Sequence, residues 1–511
     1  MKIIKPLIKT SGMTLVSRVL GFFRDILIAA SLGAGGIADV FFVAMRFPNI
    51  FRRVLAEGTL NISFIPLFSK KITNDDKKIF FKEIFNFIFW ILIIIVCIFE
   101  LFMPFFVYFL APGFIEDKEK FDLIIQLARL SFPYLFFISL VSLLCGVLNS
   151  NGKFTLAASM PIFLNLSMIV TLLILINLDA PNSEESVFYL TLSFSLSGLI
   201  QLLLCLYGCY KNGYIPNIRI PNISKSIKDF LHLCIPAIVA GGVIQINILI
   251  GTIIASFQDS AVSYLYYADR IYQLPLAVIG ISIGIVLLPQ LSIAIKNETK
   301  NNIVTLQDKS INLSLLLAIP ASFGLMFLSY DIISVLFERG FFTSEDSLAT
   351  SRALIIFAAG LPAFISIKIF QTLFFARENT KKPLEYAIYS MILNALISII
   401  LFRDIGYMGI ALGTSISAWI NLALLINESI KQKIYFVKKS ALIQLLKIVV
   451  ASFLMIILLY GLKNFTFLSI NSISEIVNFL TLIVYVIIGI IFYGILCVQL
   501  KLIELNKILE G

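Results

Sequence analysis

Histidine occurs once in the 511 residues, as His232, and tryptophan only twice. A lone histidine supports neither a metal site nor a catalytic triad, because both need several partners converging on one centre. Its place at the start of an apolar run reads as interfacial. The six cysteines, Cys97, Cys145, Cys205, Cys209, Cys234 and Cys497, all lie in or beside apolar runs, none at metal-ligand spacing to the histidine. They read as small packing residues. Charge is scarce too: Asp, Glu, Lys and Arg make up 14% of the chain, against about 25% in a soluble protein. Such a chain lacks the polar residues to cover a surface in water. Gly152-Lys153 has neither the spacing nor the Ser/Thr of a phosphate-binding loop. No ATPase module is found, so any transport would run on an ion gradient, the membrane potential or the substrate gradient. No cleavable signal peptide is expected, because the apolar run after MKIIKPLIKTSGMT carries Arg18, Arg24 and Asp25 and has no small-residue cleavage site.

What the chain does have is hydrophobicity: 59% of residues and a mean hydropathy of +0.97. Lipid must be its outer solvent. A spanning helix needs roughly 20 apolar residues. The sequence predicts fourteen spans, near 12–32, 38–66, 84–110, 122–149, 157–177, 186–209, 230–256, 261–295, 306–336, 345–376, 384–402, 406–427, 441–462 and 473–500. Alternate connections then separate by charge. One set comprises 33–37, 111–121, 178–185, 257–260, 337–344, 403–405 and 463–472. Its basic residues are only Lys118, Lys120, Arg339, Arg403 and Lys463. The other set, with both termini, holds most of the remaining lysines and arginines. The positive-inside rule puts that second set in the cytoplasm. Both termini are then cytoplasmic, in a bacterial inner membrane, and the number of spans is even. The net charge of +10 therefore follows from topology, and no nucleic-acid partner is expected.

A weak internal repeat supports a fold. The second span reads FFVAMRFPNIFRR and later FIPLF; the eighth reads YYADRIYQLPLAV and later VLLPQLS. Each begins with aromatics, then an arginine and a proline, and ends with a proline in an apolar run. Such repeats are usual in secondary transporters. The expected architecture is all-α and polytopic: two related six-helix halves, 1–215 and 216–436, plus two extra helices in 437–511 would fit fourteen spans.

Ten basic residues fall within the spans: Arg18, Arg24, Arg46, Arg52, Arg53, Arg129, Arg270, Arg352, Lys368 and Lys447. Six of them lie in the first, second and eighth spans. Each arginine at a helix centre costs about 2.5–3.5 kcal/mol by insertion scales, so such a cluster needs partners or water. In the first span, Ser17 and Arg24 share a face and Arg18 and Asp25 the adjacent stripe, with Gly21 between them. In the second, Asp39, Arg46, Arg53, Glu57 and Asn61 fall within roughly 80° of arc, which leaves Arg52 off the arc unless Pro48 shifts the phase. The eighth adds Asp269, Arg270 and Gln273. Across these three spans the acids are Asp25, Asp39, Glu57 and Asp269, two fewer than the arginines. A structural ion network tends toward neutrality. An excess of positive charge fits a water-filled cavity that receives a polyanion, and the arginine fork suits phosphate oxygens. The bland readings are helix-end snorkelling and ion pairing. They apply best to Arg46, Arg53, Arg129 and Lys447, whereas Arg352 and Lys368 are candidates for a second cavity wall. Gly280-Ile281-Ser282-Ile283-Gly284 matches a nucleophile elbow but has no strand context. It also matches G-x-x-x-G, and reads as helix packing. No catalytic residue, metal or cofactor is expected.

At this point the residues resemble a known family. Ser17-Arg18, Gly21 and Arg24-Asp25, then Ala38-Asp39 and Phe41-Phe42-Val43-Ala44, then Pro48-Asn49, Arg52-Arg53 and Ala56-Glu57-Gly58 look like the signature of the MurJ (MviN) family. So do Tyr266-Tyr267-Ala268-Asp269-Arg270, Leu288-Pro289, Ala111-Pro112-Gly113-Phe114 and the stretch from Tyr134 to Asn149. The resemblance covers essentially the whole chain, in weaker detail after residue 400. It implies a flippase for lipid II, undecaprenyl-diphosphate linked to a disaccharide pentapeptide, working by alternating access in the fold of the multidrug/oligosaccharidyl-lipid/polysaccharide exporters, two six-helix lobes around a central cavity. It further implies a groove for the undecaprenyl tail on the last two helices, and Arg18, Arg24, Arg52 and Arg270 as substrate-binding residues. Ser17, Asp25, Asp39, Asn49, Glu57, Asp269 and Gln273 would support the cavity or its portal. Gln273 departs from the pattern, which carries an acid there. The implied partners are lipid II, membrane lipids and a coupling ion or the membrane potential.

Three other functions compete. A flippase for another polyprenyl-diphosphate-linked oligosaccharide shares the chemistry and differs only in motif. A cation-coupled drug exporter of the same superfamily favours an acidic cavity. A membrane scaffold leaves the charged spans unexplained. The topology itself is testable: a single cysteine placed in 111–121 should react with an impermeant maleimide in intact spheroplasts. One in 150–156 should react only after permeabilisation.

Overall fold

The computed structural model describes residues 4–56, 59–178, 180–297, 300–436, 438–464 and 474–502. Among them there are helices and connections and no strand. Eleven helical segments are long and apolar enough to cross a membrane. The remaining three expected spans are helical too: α1 (Ile4–Leu32), α2 (Gly36–Phe51) continued by α3 (Thr59–Ser69), and α10 (Lys225–Ala255). All fourteen predicted spans thus coincide with helix. The first two miss the composition threshold because they carry the charges that matter here.

Proline and capping chemistry set many of the ends. The third expected span is two helices, α4 (Asn74–Leu101) and α5 (Met103–Leu110), and the fourth is α6 (Lys118–Ser131) and α7 (Pro133–Ser150). Both α5 and α7 carry proline in their first two positions, where a missing N–H leaves nothing unsatisfied. Thr73 accepts the Asp76 N–H at the start of α4. Ser183 and Ser186 form a capping box on α9 (Glu184–Lys211), which follows α8 (Phe154–Asn177).

By internal contacts the chain divides into two compact units, residues 1–263 with 339–342 and residues 264–338 with 343–511. In the first, α10 packs on α3, α4 and α5. Its core is aromatic and sulfur-rich: Phe64, Phe68, Phe80, Phe81, Leu144, Cys205, Cys209 and Phe230 are all buried. Phe99 stacks on Phe106 at 3.9 Å and on Phe132 at 4.5 Å between ring centroids, so the breaks that begin α5 and α7 are joined by rings. Five of the six cysteines are buried and all are free thiols, in keeping with packing roles.

The second unit holds most of α11 (Ala261–Pro275), then α12 (Ser282–Lys296), α13 (Lys300–Phe327), α14 (Ser329–Phe337), α15 (Ser344–Phe375), α16 (Lys381–Ile405) and α17 (Tyr407–Lys431). The last two helices, α18 (Lys439–Asn464) and α19 (Glu475–Gln499), pack on each other and on α13 and α14. Lys463 donates to buried Asp331 at 2.7 Å and Lys447 to the Leu500 carbonyl at 2.9 Å. Against the helix-end position expected of it, Lys447 lies in the third turn of α18, and its ammonium caps the end of α19 instead. Gly280 and Gly284 lie against α15, where a Cβ would sit 3.5 Å from Ile365 Cα and from Thr372 Oγ1. The motif is a packing surface.

Between helices in lipid, association rests on close packing rather than on water exclusion. One close-packed seam is α16 against α17. A Cβ on Gly413 would come 2.3 Å from Ser398 Oγ, and one on Gly409 2.7 Å from the Leu401 carbonyl carbon. Gly413→Leu should therefore destabilise the detergent-solubilised protein by about 1–3 kcal/mol. Thermal unfolding followed by tryptophan fluorescence, against Gly461→Leu at an open position, is the check.

Candidate functional site

Both halves of the chain carry the same backbone device, which Arg52 opens in the first half and which lies beyond Arg270 in the second. In α2, Pro48 is followed by a π-helical turn, Arg52–Ala56; after α11, Pro275 is followed by another, Leu276–Ile281. A proline removes one i→i−4 hydrogen bond, and a π turn inserts an extra residue and rotates everything beyond it. The Arg52 N–H still bonds to the Pro48 carbonyl, so the chain is α-helical up to Arg52 and the extra residue enters after it. Arg52 is half-buried and Arg53 exposed. Arg52 Nε donates to Asn49 Oδ1 at 3.2 Å, and Asn49 Nδ2 donates to the Met45 carbonyl at 2.8 Å. Asn49 thus ties the guanidinium to the turn below it.

On α1 the charges are held by a residue the sequence reading did not single out. Arg24 donates from Nε and Nη2 to Asp25 Oδ1, at 3.1 and 2.7 Å, and from Nη1 to Asn165 Oδ1 on α8 at 3.0 Å. Asn165 Nδ2 donates to the Ser17 carbonyl at 2.9 Å. Gly21 makes room for this: a Cβ there would lie 3.4 Å from Asn165 Nδ2. Asp25 and Asn165 are buried, and the Arg24 side chain keeps 13% of its surface open. The signal for Asn165 was present, a lone amide in the apolar run MPIFLNLSMIV, but nothing local linked it to Arg24. Arg18 is exposed, and among the described residues its guanidinium has no hydrogen-bond or ion-pair partner.

Asp39 behaves differently from the other acids. It is 1% exposed and its Oδ1 accepts the N–H and the hydroxyl of Ser263, at 2.8 and 2.5 Å. Both donors to Oδ1 belong to Ser263 and neither is an arginine, so the hydrogen bonds that hold Asp39 are not those of an arginine counter-ion. Glu57 and the side chain of Asn61 lie outside the described residues.

In the second unit, Arg270 lies over the Tyr266 ring at 4.7 Å and donates from Nη2 to the Tyr266 hydroxyl at 2.6 Å. Asp269 accepts the Gln273 amide. All three site residues of α11 are half-buried. Arg129 and Arg352 are exposed, and Lys368 is half-buried on α15. Among the described residues no group of three or more His, Cys, Asp or Glu side chains is arranged to hold a metal.

Arg24, Arg52 and Arg270 are thus anchored by neighbouring side chains, and Arg18 is exposed, in helices otherwise apolar. Each guanidinium carries a fixed positive charge, which suits oxygen-rich anions.

Comparison with known proteins agrees. A family model described as lipid II flippase MurJ matches residues 28–497. A probable lipid II flippase MurJ of Rhizobium tropici is 44% identical over 425 residues, 82% of this chain and 80% of that protein. Its counterpart in Rickettsia prowazekii (strain Madrid E) is 37% identical over 457 residues, 89% of each. Among solved structures, a lipid II flippase MurJ in an inward closed conformation superposes with a TM-score of 0.81 at 27% identity, over 97% of this chain and all of that one. A multidrug transporter of the MATE family superposes at 0.66 with 15% identity, over 84% of this chain and 98% of that one, which shows the fold alone. The chain belongs to the MurJ family of lipid II flippases.

Proposed function

We propose that the protein moves lipid II, the undecaprenyl-diphosphate-linked peptidoglycan precursor, from the cytoplasmic to the periplasmic leaflet of a bacterial inner membrane by alternating access. The observation that carries this reading is the Arg24–Asp25–Asn165–Ser17 bridge. It holds a charged guanidinium between two membrane helices while leaving part of it open. Arg18, Arg24, Arg52 and Arg270 bind the diphosphate and the anionic groups of the headgroup. Ser17, Asp25 and Asn49 support them, as do Asp269 and Gln273. Asp39 and Glu57 act at the cavity edge or portal. The lobes are 1–215 and 216–436, and 437–511 receives the lipid tail; the apolar residues that α18 and α19 expose along their length fit that role. Both termini face the cytoplasm. The energy comes from a coupling ion or the membrane potential, and the protein forms no covalent intermediate with its substrate.

Alanine at Arg18, Arg24, Arg52 or Arg270 should abolish lipid II flipping in proteoliposomes and fail to rescue a flippase-depleted strain, with the protein still present in the membrane. Full flipping by Arg24→Ala would sink the assignment.

Asn165 gives a finer test. Asn165→Leu keeps the volume and removes the amide from both Arg24 and Ser17. A hydrogen bond to a charged group is worth about 1.5–3 kcal/mol, so lipid II turnover should fall at least roughly tenfold. Asn165→Gln should recover part of it. Unchanged turnover in Asn165→Leu would show that Arg24 needs no support from α8.

A further inference from the structure

Lys368 lies seven residues before the end of α15, in the second unit. Its stripe on the helix is placed by its neighbours at four-residue spacing. Phe364 stacks on Tyr272 of α11 at 5.5 Å between centroids, and Thr372 Oγ1 sits 3.5 Å from where a Cβ of Gly284 in α12 would be. Residues 364, 368 and 372 share one face, so Lys368 lies on the side of α15 that meets α11 and α12. The side chain is half-buried, and among the described residues its ammonium has no hydrogen-bond or ion-pair partner.

An unpaired cation at membrane depth is costly and marks a ligand or water pathway. Snorkelling does not relieve this one. The nearer helix end is about 10 Å away along the axis. Helical Cα–Cβ bonds also tilt toward the N-terminus, away from that end. Nor is an acid of α11 committed to it: Asp269 accepts the Gln273 amide, and Gln273 is neutral.

We propose that Lys368 binds a carboxylate on the peptide of the substrate, a contact separate from the arginine-held diphosphate. The proposal rests on the flippase reading above. The two cations of this unit differ in kind. The Arg270 fork matches paired phosphate oxygens, whereas the lysine ammonium is a compact point charge that takes a single carboxylate oxygen as well as any. Lysine at 368 then gives the second unit a handle on the part of the headgroup that other polyprenyl-diphosphate lipids lack.

The test measures binding of three ligands to the purified full-length protein in nanodiscs: lipid II, lipid II with its peptide carboxylates amidated, and undecaprenyl diphosphate. Lys368→Met should weaken lipid II about tenfold and leave undecaprenyl diphosphate unchanged, while Lys368→Arg stays near wild type. Amidation should weaken wild-type binding by a similar factor and have no further effect on Lys368→Met. The amidation arm on wild-type protein holds even if the methionine variant does not assemble. Equal loss of lipid II and undecaprenyl diphosphate in Lys368→Met, or no effect of amidation on wild type, overturns the proposal. Arg24→Ala is the separate control: if it binds undecaprenyl diphosphate like wild type, the flippase reading of the arginines fails instead.

Discussion

In a bilayer core no water is available to satisfy a polar group, so each one must find its partner in the protein or in a ligand. The contact between Arg24 and Asn165 is where this constraint is met most directly. One amide side chain on α8 accepts from the guanidinium of Arg24 and donates to the backbone of Ser17 on α1. It joins two helices and orients a charge in the same act. Gly21 leaves the space in which that amide approaches, and Asp25 holds the other edge of the guanidinium.

The π turns sit beside these polar groups. The first opens at Arg52, which is half-buried while Arg53 faces out. A second proline followed by a second π turn after α11 shows that the repeat seen in the sequence is a repeat of backbone mechanics as well as of residue types. Proteins retain such turns despite their weaker hydrogen bonding where a side chain must be re-aimed.

The charges also divide by chemistry. Arg24 and Arg52 are tied down by side-chain oxygens and Arg270 by a tyrosine, while Arg18 stays open. Asp39 pairs with Ser263 and so joins backbone and side chain rather than balancing an arginine. Counting acids against bases along the sequence therefore does not show which acid meets which arginine.

Amino-acid order by itself determined the membrane class, the fourteen spans, the helical repeat and the family, because these depend on hydrophobic length, loop charge and short motifs that are local in the chain. It also identified Arg18, Arg24 and Arg270, since an arginine in an apolar run is conspicuous wherever it packs. Only the tertiary structure decided which oxygens hold Arg24 and Arg270. Asn165 stands 141 positions from Arg24 and Ser263 stands 224 from Asp39. No periodicity links residues so far apart, and a single amide in an apolar helix reads the same whether it faces lipid, a neighbour or a charge. The breaks at Phe102 and Phe132 likewise do not read as boundaries in the sequence, because a proline near a helix start continues an apolar run without interruption.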